Sequence, residues 1–236
     1  MSSQTILANA KKAKCILADM SGIHEKLKWF HIRPTATGVT LVSTHQDRMM
    51  RGIQGVAISK LGQLLATAAS AVSDDGGIDW DTITYNKQCF IKRTTESKKR
   101  KNEKEFRHQA QFINEIINNS KVFSDELHVA ELFFLGSEVI FQLETTSDGQ
   151  RIDVVAHDGN GKVLFFEFKS SDNAGDNPHE QVVGYIKKYR NNEDFQELLR
   201  QYPAITPLDA ESIVFEGWVV RGDETSGCLT FEKAVL

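Results

Sequence analysis

Apolar and polar positions alternate most clearly between Gly149 and Ser171, read as GQRIDVVAHDGNGKVLFFEFKSS. Two runs rich in Val, Ile and Phe, Ile152 to Ala156 and Val163 to Phe168, flank Asp158, Gly159, Asn160 and Gly161, which is hairpin-turn chemistry. The pattern predicts two antiparallel strands. In the second, the period of two sets Val163, Phe165, Glu167 and Lys169 on one face and Leu164, Phe166 and Phe168 on the other. A turn centred on Asn160 then places Asp153 directly opposite Glu167, on the same face.

The pattern around this hairpin predicts further elements. Glu103 to Asn119 is helical by period, with Phe106, Ala110, Ile113 and Ile117 in one stripe widened by Phe112 and Ile116. Leu127 to Leu135 and Glu138 to Glu144 read as a hairpin around Gly136 and Ser137. Asn177 as cap, Pro178 at the first helical position and Glu180 three residues past the cap start a helix that runs to about Asn191. On it Gln181 and Tyr185, four apart, share a face beside Val182, Ile186 and Tyr189. Ser212 to Val220 reads as the last strong strand, lying parallel to the Glu167 strand or to a neighbour by a right-handed crossover. Towards the N-terminus, Cys15 to Ala18, Gly38 to Thr44 and Gly55 to Ser59 read as short strands and Lys60 to Val72 as a helix. A break at Asp74 to Gly77 follows, and Thr82 to Arg93 reads as one or two strands.

The chemistry lies where the hairpin brings its charges together. Asp153 and Glu167 repel unless a cation sits between them, and a hard divalent ion with oxygen ligands is the usual answer. These residues resemble the PD-(D/E)xK nuclease superfamily: Asp153, then thirteen residues, then Glu167, any residue and Lys169. Ile152 stands where the superfamily's namesake proline would be. Gln181 and Tyr185 resemble the glutamine and tyrosine motif of its RecB-like branch. The resemblance covers roughly residues 103–220 and implies a restriction-endonuclease-like α/β core of helix, antiparallel strands, helix and strand. It implies Mg²⁺, with Mn²⁺ able to substitute, held by Asp153, Glu167 and the backbone carbonyl of Phe168. It further implies that Lys169 orients the attacking water and that Gln181 and Tyr185 support the site or the substrate. A helix before the strands often adds an acid in this superfamily, and Glu105, sharing a face with Gln109 and Phe112, is the choice ahead of Glu103 and Glu115. An acid in a first helical turn is equally explained by the helix dipole.

Composition adjusts this picture. Of 236 residues 40% are hydrophobic and 25% charged, enough for folded cores and against disorder along the whole length. A separate α+β N-terminal domain over residues 1–96 and a nuclease-like domain over 97–236 fit the change in composition between Lys92 and Arg107. That stretch holds eight basic residues against three acids and serves either as a solvated linker or as a phosphate-contacting patch. The net charge of −4 leaves nucleic-acid binding to such local patches. Cys15, Cys89 and Cys228 are odd in number and far apart, against a disulfide framework or zinc, and some RecB-like nucleases carry an iron–sulfur cluster that this cysteine set does not suit. His24, His31 and His45 lack metal-ligand spacing. Asp74, Asp75, Asp79 and Asp81 lack the EF-hand pattern and read as a solvated acidic loop. No run is long enough to span a bilayer, so a cytoplasmic protein without membrane association is expected. The functional expectation is a Mg²⁺-dependent deoxyribonuclease acting on DNA, in defence against foreign DNA or in DNA repair. The alternative is a catalytically inactive nucleic-acid-binding or assembly module on the same fold. Residues 1–96 carry no motif and are assigned to homodimer or partner-protein contacts.

Overall fold

A computed structural model describes residues 3–44, 51–73, 77–79, 82–85, 88–89, 91–92, 99–140, 151–169, 177–223 and 225–235. In chain order, helix α1 (Ser3–Ala18) and a short α2 (His24–Leu27) lead into β1 (Phe30–Thr35), β2 (Gly38–Ser43), β3 (Arg51–Val56) and α3 (Ile58–Ser70). Three two-residue strands follow, β4 (Thr84–Tyr85), β5 (Gln88–Cys89) and β6 (Ile91–Lys92). Then come α4 (Lys99–Asn118), α5 (Ser124–Leu127), β7 (Phe133–Ile140), β8 (Arg151–His157) and β9 (Lys162–Lys169). The chain closes with α6 (Pro178–Tyr189), α7 (Glu193–Arg200), β10 (Val214–Gly222) and β11 (Leu229–Lys233).

The result is a mixed α/β molecule with two main sheets among the described residues. The first runs β1-β2-β3-β6 and is antiparallel. The second runs β11-β10-β9-β8-β7, antiparallel except where β10 lies parallel to β9. That parallel pair is joined through α6 and α7, because a parallel return needs a crossover and not a hairpin. The expected parallel placement of the Ser212–Val220 strand beside the Glu167 strand is what the ladder shows.

Alternation along β9 divides the second sheet's two cores. Val163 and Phe165 pack with Val182, Tyr185, Ile186 and Tyr189 of α6 and Phe195 and Leu198 of α7. Leu164, Phe166 and Phe168 face the other way, onto Phe112, Ile113 and Ile116 of α4. The Phe112 ring sits 4.7 Å from Phe166 and 5.6 Å from Phe168. At about 1.5–3 kcal/mol for each buried large apolar side chain, these two faces hold the strand's register against a slip of one residue. Helix α6 begins as its sequence predicts, with the Asn177 side chain accepting from the Glu180 N–H at 3.3 Å and Pro178 in the first turn.

Several expected elements differ. Leu127, expected to open a strand, closes α5, and that strand begins only at Phe133. Cys15 to Ala18 is the last turn of α1, not a strand, because Ala10, Ala13 and Leu17 form a helical stripe of buried positions. Gly136 and Ser137 are not a turn: they lie inside β7, which bulges between Phe134 and Gly136 as it pairs with β8. Gly136 is needed there because a Cβ would stand 2.8 Å from the Tyr202 ring. The strand expected at Gly55 to Ser59 ends at Val56, and Ile58 already starts α3. One more strand, β11, follows the one taken as last. The part of the predicted second hairpin strand beyond Ile140 lies outside the described residues.

The N-terminal sheet packs on α1 and α3 around Leu17, Ile32, Leu41, Ile53, Leu61 and Leu65. Helix α1 also serves the other core: Ala10 packs with the α6–α7 side while Ala13 and Leu17 join the N-terminal one. The Lys14 ammonium donates to the Arg200 carbonyl and the Asn114 amide donates to the Thr44 carbonyl, so both α1 and α4 are tied across the molecule. The boundary expected near residue 97 falls at 93–98, outside the described residues. Among those described, no helix is long and apolar enough to cross a membrane.

Candidate active site

The hairpin that sets the site is built by local chemistry. The Asp158 carboxylate accepts from the N–H groups of Asn160 and Lys162 at 2.8 and 3.0 Å, closing the turn. Gly161 adopts φ 100°, and a Cβ there would meet the Ser212 carbonyl oxygen at 2.5 Å, so the position admits only glycine without displacement. The ladder runs Val154 to Phe166, Val155 to Phe165, Ala156 to Leu164 and His157 to Val163. The ladder ends at Val154 and Phe166, and Asp153 and Glu167 are the next residues on the two strands.

Beyond the ladder, side-chain contacts join the two strand ends. The Asp153 carboxylate accepts a hydrogen bond from the Phe168 N–H at 2.9 Å. Glu167 is buried, and its Oε1 is 2.9 Å from the Lys169 Nζ, whose side chain is 12% exposed. The other oxygen, Oε2, is buried and has no hydrogen-bond partner in reach among the described residues. On α6 the Gln181 amide donates to the Tyr185 hydroxyl at 2.6 Å, and that hydroxyl donates to the Arg151 carbonyl at 2.9 Å, two residues before Asp153. From α4, the buried Gln109 amide donates to the Asp153 carbonyl oxygen at 2.7 Å.

The electrostatics record how tightly the charges are held. Burial pushes the Asp153 carboxyl well above the usual carboxylate range and the Glu167 charge adds to this; the Phe168 N–H and Lys169 pull it back, while Glu138 pushes it up further. Burial likewise raises Glu167, against the opposing pull of Lys169, with Glu105 pushing up and Gln181 pulling down. Burial alone would lower Lys169, but Glu167, Asp153 and Glu105 together hold it above the ordinary lysine range, so it is a firmly protonated ammonium. Burial and the Glu167 charge raise Tyr185, which therefore acts as a neutral hydrogen-bonding group.

Of the sequence-predicted residues, Asp153, Glu167, Lys169, Gln181 and Tyr185 are thus linked through contacts and charge, and half-buried Glu105 acts electrostatically on both Glu167 and Lys169. Among the described residues, no three His, Cys, Asp or Glu side chains group closely enough to hold a metal ion by themselves. The donor set available is therefore two carboxylates, one of them with an orphaned buried oxygen, and backbone carbonyls at the same strand end. Hard oxygen donors of this kind suit Mg²⁺, which keeps several of its waters. Lys98 lies outside the described residues, as do the side chains of Lys99, Arg100 and Lys101.

Two participants escaped the sequence reading. Glu138 of β7 sits in the left-handed region at φ 45° and meets Arg33 of β1 at 3.1 Å and Arg151 at 3.2 Å. Its nearness to Asp153 depends on tertiary pairing between β7 and β8, which leaves no spacing signal. Gln109 is one helical turn beyond Glu105, and that i, i+4 spacing was the available clue to a polar face aimed at β8. Comparison with protein-family models, curated proteins and solved structures finds no match for this chain.

Proposed function

We propose that the chain is a Mg²⁺-dependent deoxyribonuclease whose second sheet, with α4 and α6, forms a restriction-endonuclease-like core, working in the cytoplasm in defence against foreign DNA or in DNA repair. The observation that carries this reading is the buried Glu167 carboxylate, with one oxygen on Lys169 and the other without a hydrogen-bond partner in reach among the described residues, beside an Asp153 carboxyl raised by burial and by Glu167. Two carboxylates held together out of water are costly unless a cation neutralises them. Asp153, Glu167 and the Phe168 carbonyl would hold Mg²⁺, with Glu105 beside them. Bound there, the ion supplies Lewis acidity toward the phosphate and lowers the pKa of a coordinated water.

The chain's own groups do the positioning. The Lys169 ammonium, fixed by Glu167, orients a water for in-line attack and offsets negative charge that develops on the phosphate oxygens. The Gln181 amide and Tyr185 hydroxyl brace the start of β8 through the Arg151 carbonyl, which holds Asp153 in place. From the other face, the Gln109 amide braces the Asp153 backbone. Residues 1–96 supply the surface for a second copy or a partner protein.

Incubating the protein with linear and circular DNA, with Mg²⁺ or Mn²⁺ and then with chelator, tests the reading. Cleavage that requires metal and Lys169 supports it, and no cleavage of either substrate under any metal overturns it. The second reading is an inactive nucleic-acid-binding or assembly module on the same fold. Metal-independent DNA binding without cleavage is its signature.

A further inference from the structure

We infer that Arg221 is a phosphate-binding residue of this site, gripping a DNA phosphodiester beside Lys169. The inference rests on the nuclease reading for its substrate. In the parallel ladder Val219 pairs with Glu167, Val220 with Phe168 and Arg221 with Lys169. Laddered partners present their side chains to the same face, on strands about 4.8 Å apart. Packing fixes which face that is. Val219 joins the α6-side core with Val163 and Phe165, whereas Trp218 and Val220 join the α4-side core with Phe166 and Phe168. Arg221 therefore stands next to Lys169 on the face that carries Glu167.

Arg221 is more exposed and more loosely paired than Lys169. Lys169 is committed to Glu167 at 2.9 Å and is 12% exposed. Arg221 is 32% exposed, and its ion pair is a long one, Nε to Glu232 Oε1 at 3.7 Å, with a carboxylate that is itself half-exposed. An exposed pair of that length contributes little. That pair is made through Nε, and the guanidinium fork is the geometry that takes a phosphate in two parallel hydrogen bonds. Glu232 also meets His179 at 3.0 Å, so it is a competing anion at the mouth of the site. A chain of net charge −4 with Asp153, Glu167, Glu105 and Glu138 near its centre needs such a cation to admit a polyanion.

The test is a DNA-binding titration at several salt concentrations on full-length protein carrying Asp153→Asn. Adding Arg221→Gln is expected to weaken binding about tenfold and to lower the log–log salt slope by about 0.9, the value for one lost phosphate contact. Arg221→Lys should keep the slope and recover part of the affinity, because it retains the charge without the fork. Glu232→Gln should tighten binding, an effect of opposite sign that loss of fold cannot produce. Unchanged affinity and slope in Arg221→Gln, weaker binding in Glu232→Gln, or no DNA binding by the parent protein each overturn the assignment. Cleavage by the wild-type chain is scored separately: a protein that cuts DNA but keeps its slope in Arg221→Gln retains the nuclease reading and loses this one. A protein that never cuts but binds through Arg221 does the reverse.

Discussion

At the scale of single residues the site stores electrostatic cost. Asp153 and Glu167 both bind protons more tightly in the folded chain than carboxyls ordinarily do. In the window above ordinary carboxylate pKa values the folded state therefore holds more protons than the unfolded one, and these two groups make stability fall as pH rises through it. At neutral pH without metal they are a net burden. Asp153→Asn is accordingly expected to raise the melting temperature in chelator at pH 7, and Mg²⁺ should raise the melting temperature of the wild type but not of this variant. Thermal unfolding with and without Mg²⁺ reads both, and a lower melting temperature for Asp153→Asn in chelator contradicts the argument. Lys169 makes a separate prediction, since an ammonium is not a metal ligand. Lys169→Ala should cut the cleavage rate by about 100-fold or more while leaving Mn²⁺ affinity within a few-fold, measured by nicking kinetics and metal titration. The nearness of Asp153 and Glu167 was legible from the glycine-rich turn and the strand pattern, although the ladder itself stops one residue short of pairing them. Glu138 and Arg221 were not, because their places depend on neighbours brought in by β7 and β10.

At the scale of elements, the clearest case is β7. Read alone, Gly136 and Ser137 look like a turn; in the fold the glycine accommodates Tyr202 and the serine hydroxyl meets the His31 ring at 3.2 Å. A glycine that turns a chain and one that lets a ring approach have the same sequence signature, and packing decides between them. Helix α6 is the opposite case, since a cap, a proline and a four-residue spacing are all local signals, and its start and its Gln181–Tyr185 face followed from them. The bulged β7 carries Glu138 two residues before its end, and that left-handed residue makes a nearly buried pair with Arg33, with side chains 9% and 10% exposed. Arg33→Met removes a guanidinium from that nearly buried carboxylate, while the half-exposed Arg151 stays 3.2 Å away, and a loss of about 3 kcal/mol is expected. Arg33→Met combined with Glu138→Gln should lose clearly less than the sum of the single changes. Urea unfolding of the three variants measures the coupling, and strict additivity would show that Arg33 acts through packing alone.

At the scale of the whole molecule, composition suggested a division near residue 97, but the contacts that cross it are made by residues no local pattern could pair. Helix α1 feeds both cores, Asn114 bonds the Thr44 carbonyl, Arg33 reaches Glu138 and His31 reaches Ser137. Two buried histidines make this junction and the central hairpin sensitive to acid. Burial, then the nearby Arg33 charge, holds His31 well below its usual pKa. Burial also lowers His157, whose Nε2 lies 3.0 Å from the Thr206 carbonyl while its Nδ1 accepts from the Gly159 N–H at 3.2 Å. That pair of bonds requires the neutral ring, and a proton on Nδ1 breaks the second of them. The unfolded chain takes up protons on both rings as pH falls below about 6.5 while the folded chain resists, so these groups make stability fall with pH in that window, against the opposite trend from Asp153 and Glu167. Adding Asp153→Asn removes part of the opposing trend and should steepen the loss between pH 6.5 and 5. The same contacts predict one cooperative transition across the division. Trp29 and Trp80 fall within residues 1–96 and Trp218 in the second sheet, so Trp218→Phe and the double variant Trp29→Phe with Trp80→Phe leave probes on opposite sides. Coincident fluorescence transitions in urea, at pH 7 and again at pH 5, are expected from a molecule whose first helix belongs to both cores. Two separated midpoints would show that residues 1–96 unfold as a unit of their own.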